Sequence, residues 1–423
     1  MHRYANNKVS IELVKTTDKI INNCNVLNTL NRASYILNNK NSELLYRLYL
    51  DLKSSQDEIN RSQIKHIERT VDSDKTISEE LLEDLTNRYV DVNIRDFILR
   101  TQSVEIKYSL SERIEYIIYF RVFEEVDNDL LEYLDMCSCN IFSILKFLYK
   151  FRNHDCDIER LELYIYLTDF RKVLPTSKRM TIGPGNINSG STRPCQKRTK
   201  ITIFRREEFM KLVVHESVHA LGIDIPYRYN GYYTEKLDQI FGIESSYNLN
   251  ETYTEMCAVI VNSLMMVLQS DHLNTDKKTI QKLIANCLHI ETAYSRIQVI
   301  KILHFMTLSL KDLVTQSKKE NYKEESHVFA YYILKYLLLE NLGGFLDLCG
   351  DNEGHVLNFS HGLSDNAKRE KIEKIIKLIQ SLIKNKDFLD KFARDEKYLL
   401  SPTCPFFKGI ITKTLRMTAL ELA

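Results

Sequence analysis

The sequence predicts a mainly helical α+β protein. Its 423 residues include only 12 glycines and 6 prolines, well below the usual shares of about 7% and 5%, so few turns interrupt the helices. Apolar side chains recur at intervals of three and four through much of the chain, as on the buried face of a helix. Residues 161–167 alternate and residues 200–204 are rich in β-branched side chains, which predicts strands. We therefore expect a small mixed sheet within a helical protein.

The same change of pattern along the chain suggests its domain organisation. At roughly 100–200 residues a domain, the length allows two or three domains. We expect a helical N-terminal region over residues 1–155, a core with the strands over 156–270 and a helical C-terminal subdomain over 271–423, with an irregular stretch at 401–415. The functional cleft should lie between the last two regions. The N-terminal region should contain amphipathic helices at 11–50, 78–99 and 128–151.

Charge and hydropathy exclude two classes of partner. The 58 Lys and Arg residues balance 57 Asp and Glu residues, for a net charge of +1. A nucleic-acid-binding protein usually carries a clear basic excess, so we expect no nucleic-acid partner. No window of about 18 uncharged apolar residues occurs, so we expect no membrane span.

The nine cysteines suggest a reducing environment. Their number is odd and they form no pair of CxxC motifs. Free thiols are therefore expected. Because the N-terminal sequence is polar and lacks an apolar signal core, the expected location is the cytoplasm.

The candidate chemistry lies in the segment His215-Glu216-Ser217-Val218-His219. Two histidines four residues apart lie one turn apart on the same face of a helix, so both imidazoles can reach one ion. Glu216 projects beside them, where it can accept a proton from a metal-bound water. The flanking residues are apolar and Gly222 can end the helix. Two histidines on a surface helix are the alternative that this motif alone leaves open.

A catalytic zinc needs a third protein ligand. One template places a His or Asp three residues after the glycine that follows HExxH, but Ile225 occupies that position and Asp224 is one residue early. Another template places a glutamate on a second helix. The segment Asn250-Glu251-Thr252-Tyr253-Thr254-Glu255 offers two such carboxylates, although acids at a helix start are also favoured by the helix dipole alone.

HExxH followed by NExxTE resembles the zinc-binding elements of the gluzincin metallopeptidases, which have the zincin fold. The resemblance implies that Glu251 is the third ligand of one Zn²⁺ per chain and that Glu255 orients a ligand histidine. It also implies a strand beside the zinc helix that holds substrate by β-addition. Residues 188–192 and 203–209, followed by the zinc helix, are similar to uncharacterised zincin-like proteins of large nucleocytoplasmic DNA viruses.

Further residues are candidates for handling the substrate. Asn188, Ser189 and Gly190 lie between the predicted strands and are candidate substrate-binding residues, the alternative being an ordinary connecting loop. Peptide hydrolysis also needs a group for the developing oxyanion. His327 and Tyr331 share a helix face in a segment that loosely resembles the His-plus-Tyr helix of helical oligopeptidases, the alternative being an aromatic core helix. Three other histidines stay open for this role: His289, His304 and His361.

The function expected from these features is zinc-dependent hydrolysis of a peptide or protein substrate, with Glu216 as the general base. The competing hypothesis is a viral structural or host-interaction protein on a zincin scaffold, with little or no hydrolytic activity, because fold does not fix function. An intact Glu216 favours the enzyme, since a purely structural zinc site needs no base at that position.

Overall fold

The chain folds around a six-stranded mixed sheet with helices packed on it. Helices predominate over strands, which confirms the prediction of a mainly helical α+β protein. The computed structural model describes residues 37–62, 68–72, 79–270, 275–350, 357–360, 362–402, 404 and 410–421.

The sheet joins an antiparallel meander to a parallel part near the candidate site. Its strands are β1 (Glu68–Asp72), β2 (Val104–Ser111), β3 (Glu115–Val122), β4 (Arg160–Tyr166), β5 (Gly190–Thr192) and β6 (Arg198–Ile203). Their order is β1-β2-β3-β4-β6-β5. The first three strands are antiparallel, β3, β4 and β6 run parallel, and β5 pairs antiparallel with β6. In this last pair Gly190 lies opposite Ile203.

The helices lie before, between and after these strands along the chain. They are α1 (Asn39–Ser62), α2 (Glu79–Leu85), α3 (Val92–Arg100), α4 (Asn128–Tyr149), α5 (Pro184–Ile187), α6 (Phe209–Ala220), α7 (Asn230–Phe241), α8 (Leu249–Ser270), α9 (Lys277–Phe305), α10 (Leu310–Val314), a π-helix (Phe329–Leu334), α11 (Lys335–Glu340), α12 (Leu342–Cys349), α13 (Asp365–Ile383) and α14 (Lys386–Leu399). Helix α6 contacts β5 and β6 as well as α4 and α8. None of the helices in the described part of the chain is long and apolar enough to cross a membrane.

The prediction of a helical N-terminal region over residues 1–155 is wrong for β1, β2 and β3. Residues 104–111 alternate between apolar and polar side chains, which is the pattern of a half-buried strand. The sheet therefore draws strands from both sides of residue 155. Of the expected helix at 11–50, residues 11–36 lie outside the described residues.

Cys156 and Cys195 are disulfide-bonded, so the expectation of free thiols is wrong for this pair. Their positions are 39 residues apart in the sequence, and sequence spacing alone does not show which loops a fold brings together. The bond lies against the end of α6, because a Cβ added at Gly222 would lie 2.9 Å from each sulfur. Cys24 lies outside the described residues, and the remaining six cysteines form no disulfide within the described part of the chain: Cys137, Cys139, Cys257, Cys287, Cys349 and Cys404.

The last described segment, residues 410–421, is mostly buried. It includes one 3₁₀ turn, Ile410–Thr412, and an isolated bridge between Thr414 and Val173. Lys413 is exposed, while residues 414–421 are all buried. The predicted irregular stretch at 401–415 lies only partly within the described residues. Because buried backbone groups need hydrogen-bond partners, this segment depends on side chains of the surrounding helices.

Candidate metal centre

Helix α6 carries the two predicted histidines and is defined at both ends. It begins at Phe209, directly after Glu208, whose left-handed backbone with φ 61° is not helical. At the other end Gly222 has φ 61°, and its amide donates to the carbonyl of His219 at 2.9 Å. Glycine adopts this conformation without strain, and it is a common way to end a helix.

His215 and His219 converge with Glu251, which lies in the first turn of α8. The Nε2 atom of His215 lies 3.3 Å from Oε2 of Glu251. The Nε2 atom of His219 lies 3.2 Å from the same oxygen. One possible ligand atom from each of the three residues lies within 4.8 Å of the others, so the three side chains can share one ion.

This donor set fits zinc. Two imidazole nitrogens and one carboxylate oxygen are ligands that catalytic zinc sites use, and they leave a fourth position open. Donors at about 2.1 Å from a tetrahedral ion lie roughly 3.4 Å apart. The nitrogen–oxygen distances of 3.3 and 3.2 Å between the histidines and Glu251 are close to that value.

The other ring nitrogen of each histidine faces a carboxylate. Nδ1 of His215 lies 2.8 Å from Oε1 of Glu255, which follows Glu251 by one helical turn. Nδ1 of His219 lies 2.6 Å from Oδ2 of Asp224. Such carboxylates fix the orientation of ligand histidines. The sequence interpretation gave this role to Glu255 and considered Asp224 only as a metal ligand.

Glu255 is fully buried between two lysines that the sequence interpretation missed. Lys211 pairs with Oε1 of Glu255, and Nζ of Lys335 lies 3.6 Å from Oε2. Burial opposes the charged form, but Lys211 and the groups around it outweigh this effect and hold the pKa of Glu255 well below its ordinary value. The sequence could have revealed Lys211, because a charged residue within the apolar part of a buried helix needs a partner.

Glu216 lies against the edge strand β5. A Cβ added at Gly190 would lie 2.8 Å from Oε1 of Glu216 and 3.1 Å from the backbone oxygen of Thr202. Only a residue without a side chain lets the strand approach the carboxylate this closely. Glu216 is buried, and burial is the main cause that raises its pKa.

A cleft of about 550 Å³ opens over these residues. Its wall includes the segment 188–190 together with His327 and Tyr331. Arg88 and Tyr89 form a further part of the wall. The expectation that the cleft lies between residues 156–270 and the C-terminal subdomain is therefore incomplete, because the turn between α2 and α3 also lines it.

The segment 188–190 is built into the sheet. Gly190 begins β5, so the predicted loop is partly a strand. The side chain of Asn188 donates to the carbonyl of Tyr89 at 3.1 Å and accepts from the hydroxyl of Ser326, so it links this segment to the turn after α2 and to the residue before His327. The hydroxyl of Ser189 is buried and has no hydrogen-bond partner within the described part of the chain.

His327 and Tyr331 both face the candidate site. The ring of Tyr331 lies 5.9 Å from the ring of His215 and 6.0 Å from that of His327. Burial raises the pKa of Tyr331 well above its ordinary value and lowers that of His327. Asn248 holds His327, with its amide nitrogen 2.6 Å from Nδ1.

The backbone around these two residues is irregular. His327 has φ 31°, which is uncommon for a residue with a side chain. The π-helix Phe329–Leu334 follows it and contains Tyr331. Left-handed residues and π-helical turns are often found at functional sites.

The alternative histidines are not grouped with the site. His289 and His304 lie on α9, and the described wall of the cleft contains neither. His361 lies outside the described residues.

Comparison with known proteins assigns no family. No protein-family model matches the chain, and no solved structure matches it. An uncharacterized protein of Acanthamoeba polyphaga mimivirus is 28% identical over 194 residues, which are 41% of this chain and 44% of the relative. The chain thus spans less than half the length of that relative. This relative is a viral protein, and the match gives no activity.

Proposed function

We propose that this protein is a zinc-dependent metallopeptidase. The observation that carries the proposal is the convergence of His215, His219 and Glu251, with ligand atoms within 4.8 Å of one another beside the carboxylate of Glu216. A structural zinc site is normally closed by a fourth protein ligand. Here the described residues offer three ligands and a cleft above them.

The residues around the centre have separate tasks. Glu255 and Asp224 hold the two imidazole rings so that each Nε2 faces Glu251. A zinc ion held there would act as a Lewis acid and lower the pKa of a water in the open position. The carboxylate of Glu216 accepts a proton from the attacking water and then donates this proton to the leaving amine.

The cleft supplies groups for the peptide backbone. Strand β5 has a strand neighbour on one side only within the described part of the sheet, so an extended peptide can pair with its other side. Tyr331 and His327 line the same cleft as β5. The Tyr331 hydroxyl is our first candidate for donation to the developing oxyanion.

The proposal includes a peptide or protein substrate and a location in the host cytoplasm or in the virion. The bond between Cys156 and Cys195 favours the virion, because thiols in the cytosol are kept reduced. The competing role, a scaffold for viral structure or host interaction, predicts that Glu216 is dispensable.

The test is metal analysis followed by peptide-library cleavage. Purified wild-type protein should hold about one zinc per chain, and His215→Ala or His219→Ala should lose it. Glu216→Gln should retain zinc and lose cleavage by ~10²–10⁴-fold, the usual effect of removing a general base. Full zinc retention in both histidine variants would reject the metal centre. Cleavage by Glu216→Gln at the wild-type rate would reject the mechanism.

A further inference from the structure

The interior of the protein connects the candidate metal centre to the C-terminal segment 414–421. We propose that Lys335 is a positioning residue, which fixes His215 through Glu255 and makes this segment a structural part of the centre. The inference rests on the metal binding of the proposed function and does not depend on peptide hydrolysis.

Lys335 lies between the segment and the centre. It is fully buried, and its Nζ donates to the carbonyl of Met417 at 2.7 Å. The same Nζ lies 3.6 Å from Oε2 of Glu255. Because Oε1 of Glu255 lies 2.8 Å from Nδ1 of His215, three consecutive polar contacts join Met417 to a ligand ring.

The segment is also attached to the start of α6. Oε1 of Glu208, the residue before the helix, accepts from the amide of Met417 at 2.8 Å and from that of Thr418 at 2.7 Å. The segment therefore holds one ligand helix directly and contacts Glu255 on the other through Lys335. The segment is thus linked to both helices that carry the metal ligands, in addition to the direct packing of these helices on each other.

The geometry at Glu255 explains why Lys335 is needed in addition to Lys211. Lys211 pairs with Oε1, the same oxygen that faces His215. Lys335 lies at the other oxygen. With cations at both oxygens the carboxylate keeps its plane, whereas without Lys335 it is free to turn toward Lys211 and away from the imidazole. The buried charge of Glu255 would also lose part of its compensation.

The chain offers a matched control in Lys301. This residue is also a buried lysine that holds the C-terminal region, since its Nζ donates to the carbonyl of Ile411 at 2.8 Å and to that of Thr414. It makes no ion pair with a carboxylate within the described residues. Lys301→Met therefore removes a similar anchor of the segment without touching Glu255.

The first experiment compares the zinc affinity of the full-length wild type, Lys335→Met and Lys301→Met by chelator competition. Both variants should unfold at lower temperature than the wild type. Only Lys335→Met should bind zinc more weakly, by the ~10–100-fold typical of groups that support a metal ligand. It should also change the visible spectrum of the cobalt(II)-loaded protein. Equal zinc affinities for Lys335→Met and Lys301→Met would overturn the inference.

A second comparison separates the effect of Lys335 on Glu255 from a general loss of folding in the Lys335→Met variant. In a Glu255→Gln background the buried charge is absent, so Lys335→Met should cause no further loss of zinc affinity. A loss as large as in the wild-type background would show that Lys335 acts by another route. A wild type that binds zinc but cuts no peptide would reject the proposed hydrolysis and leave this inference intact, whereas a wild type that binds no zinc would overturn both.

Discussion

Oδ2 of Asp224 lies 2.6 Å from Nδ1 of His219, although Asp224 follows His219 by only five residues. Two residues so close in sequence can meet because the left-handed Gly222, which follows the end of α6, turns the chain back toward the helix. The amide of Ile223 then donates to the carbonyl of Val218 at 3.0 Å. Both side chains are largely shielded from solvent, with 13% of Asp224 and 14% of His219 exposed. We infer that Asp224 sets the orientation of His219, as Glu255 does for His215.

The first prediction concerns this pair. Asp224→Ala should weaken zinc binding by ~10–100-fold, because a ligand histidine that loses its carboxylate partner is no longer held in one orientation. Zinc affinity is measured by chelator competition on the folded protein. Asp169→Ala is the control, since that side chain is 95% exposed and should leave the affinity unchanged. Equal affinities for wild type and Asp224→Ala would exclude the proposed role.

The residues of the centre differ in how far the sequence reveals them. His215, Glu216 and His219 lie within one helical turn and a half, so their grouping follows from helix geometry alone. The contact of Asp224 with His219 depends on the turn at Gly222. A search of the sequence for metal ligands does not look for such a contact. Lys335 is more than a hundred residues from His215, and nothing in its local sequence indicates where the π-helix and α11 place it.

The elements of the fold also differ in how far the sequence reveals them. Helix α4 and strands β4 and β6 lie close to their predicted positions, because each has a clear apolar periodicity. Strand β2 has equally clear alternation in residues 104–111, which the helical interpretation of the region passed over. The burial of residues 414–421 rests on contacts with distant helices, and a short irregular segment carries no periodicity that would predict them.

The second prediction concerns Gly190. Gly190→Ala should lower peptidase activity by on the order of 10²-fold, because the added Cβ would lie 2.8 Å from Oε1 of Glu216 and displace the base from its working position. Zinc content should not change. Gly231→Ala is the control, since a Cβ there meets nothing within 4 Å. Full activity in Gly190→Ala would mean that the carboxylate of Glu216 works from another position.

The third prediction decides between the two candidates for the oxyanion. Tyr331→Phe should lower kcat by ~10²–10³-fold, the usual effect of removing one such donor, with little change in zinc content. Tyr332→Phe is a matched control, because the hydroxyl of Tyr332 donates to the carbonyl of Leu415 and does not line the cleft. If Tyr331→Phe keeps its kcat and His327→Gln loses it, the role belongs to His327.

Glu396 gives the protein a pH dependence of stability that is separate from the metal centre. Burial, together with the nearby carboxylate of Asp312, raises the pKa of Glu396 from 4.5 to about 7. The folded protein therefore holds this proton more tightly than the unfolded chain does. The contribution of the neutral group to stability is complete below about pH 4.5 and is lost as the pH rises through 7.

The fourth prediction follows from that sign. Glu396→Gln, which stays neutral at every pH, should be more stable than wild type at pH 8 and nearly equal to it at pH 4. The shift in pKa sets an upper bound, and because the side chain is only half-buried, solvent reduces the gain to on the order of 1 kcal/mol. The measurement is denaturant unfolding at both pH values. Glu370→Gln, on an exposed part of α13, is the control and should show no such difference between the two pH values. A gain for Glu396→Gln that is the same at pH 4 and pH 8 would show that the effect is one of packing and not of charge.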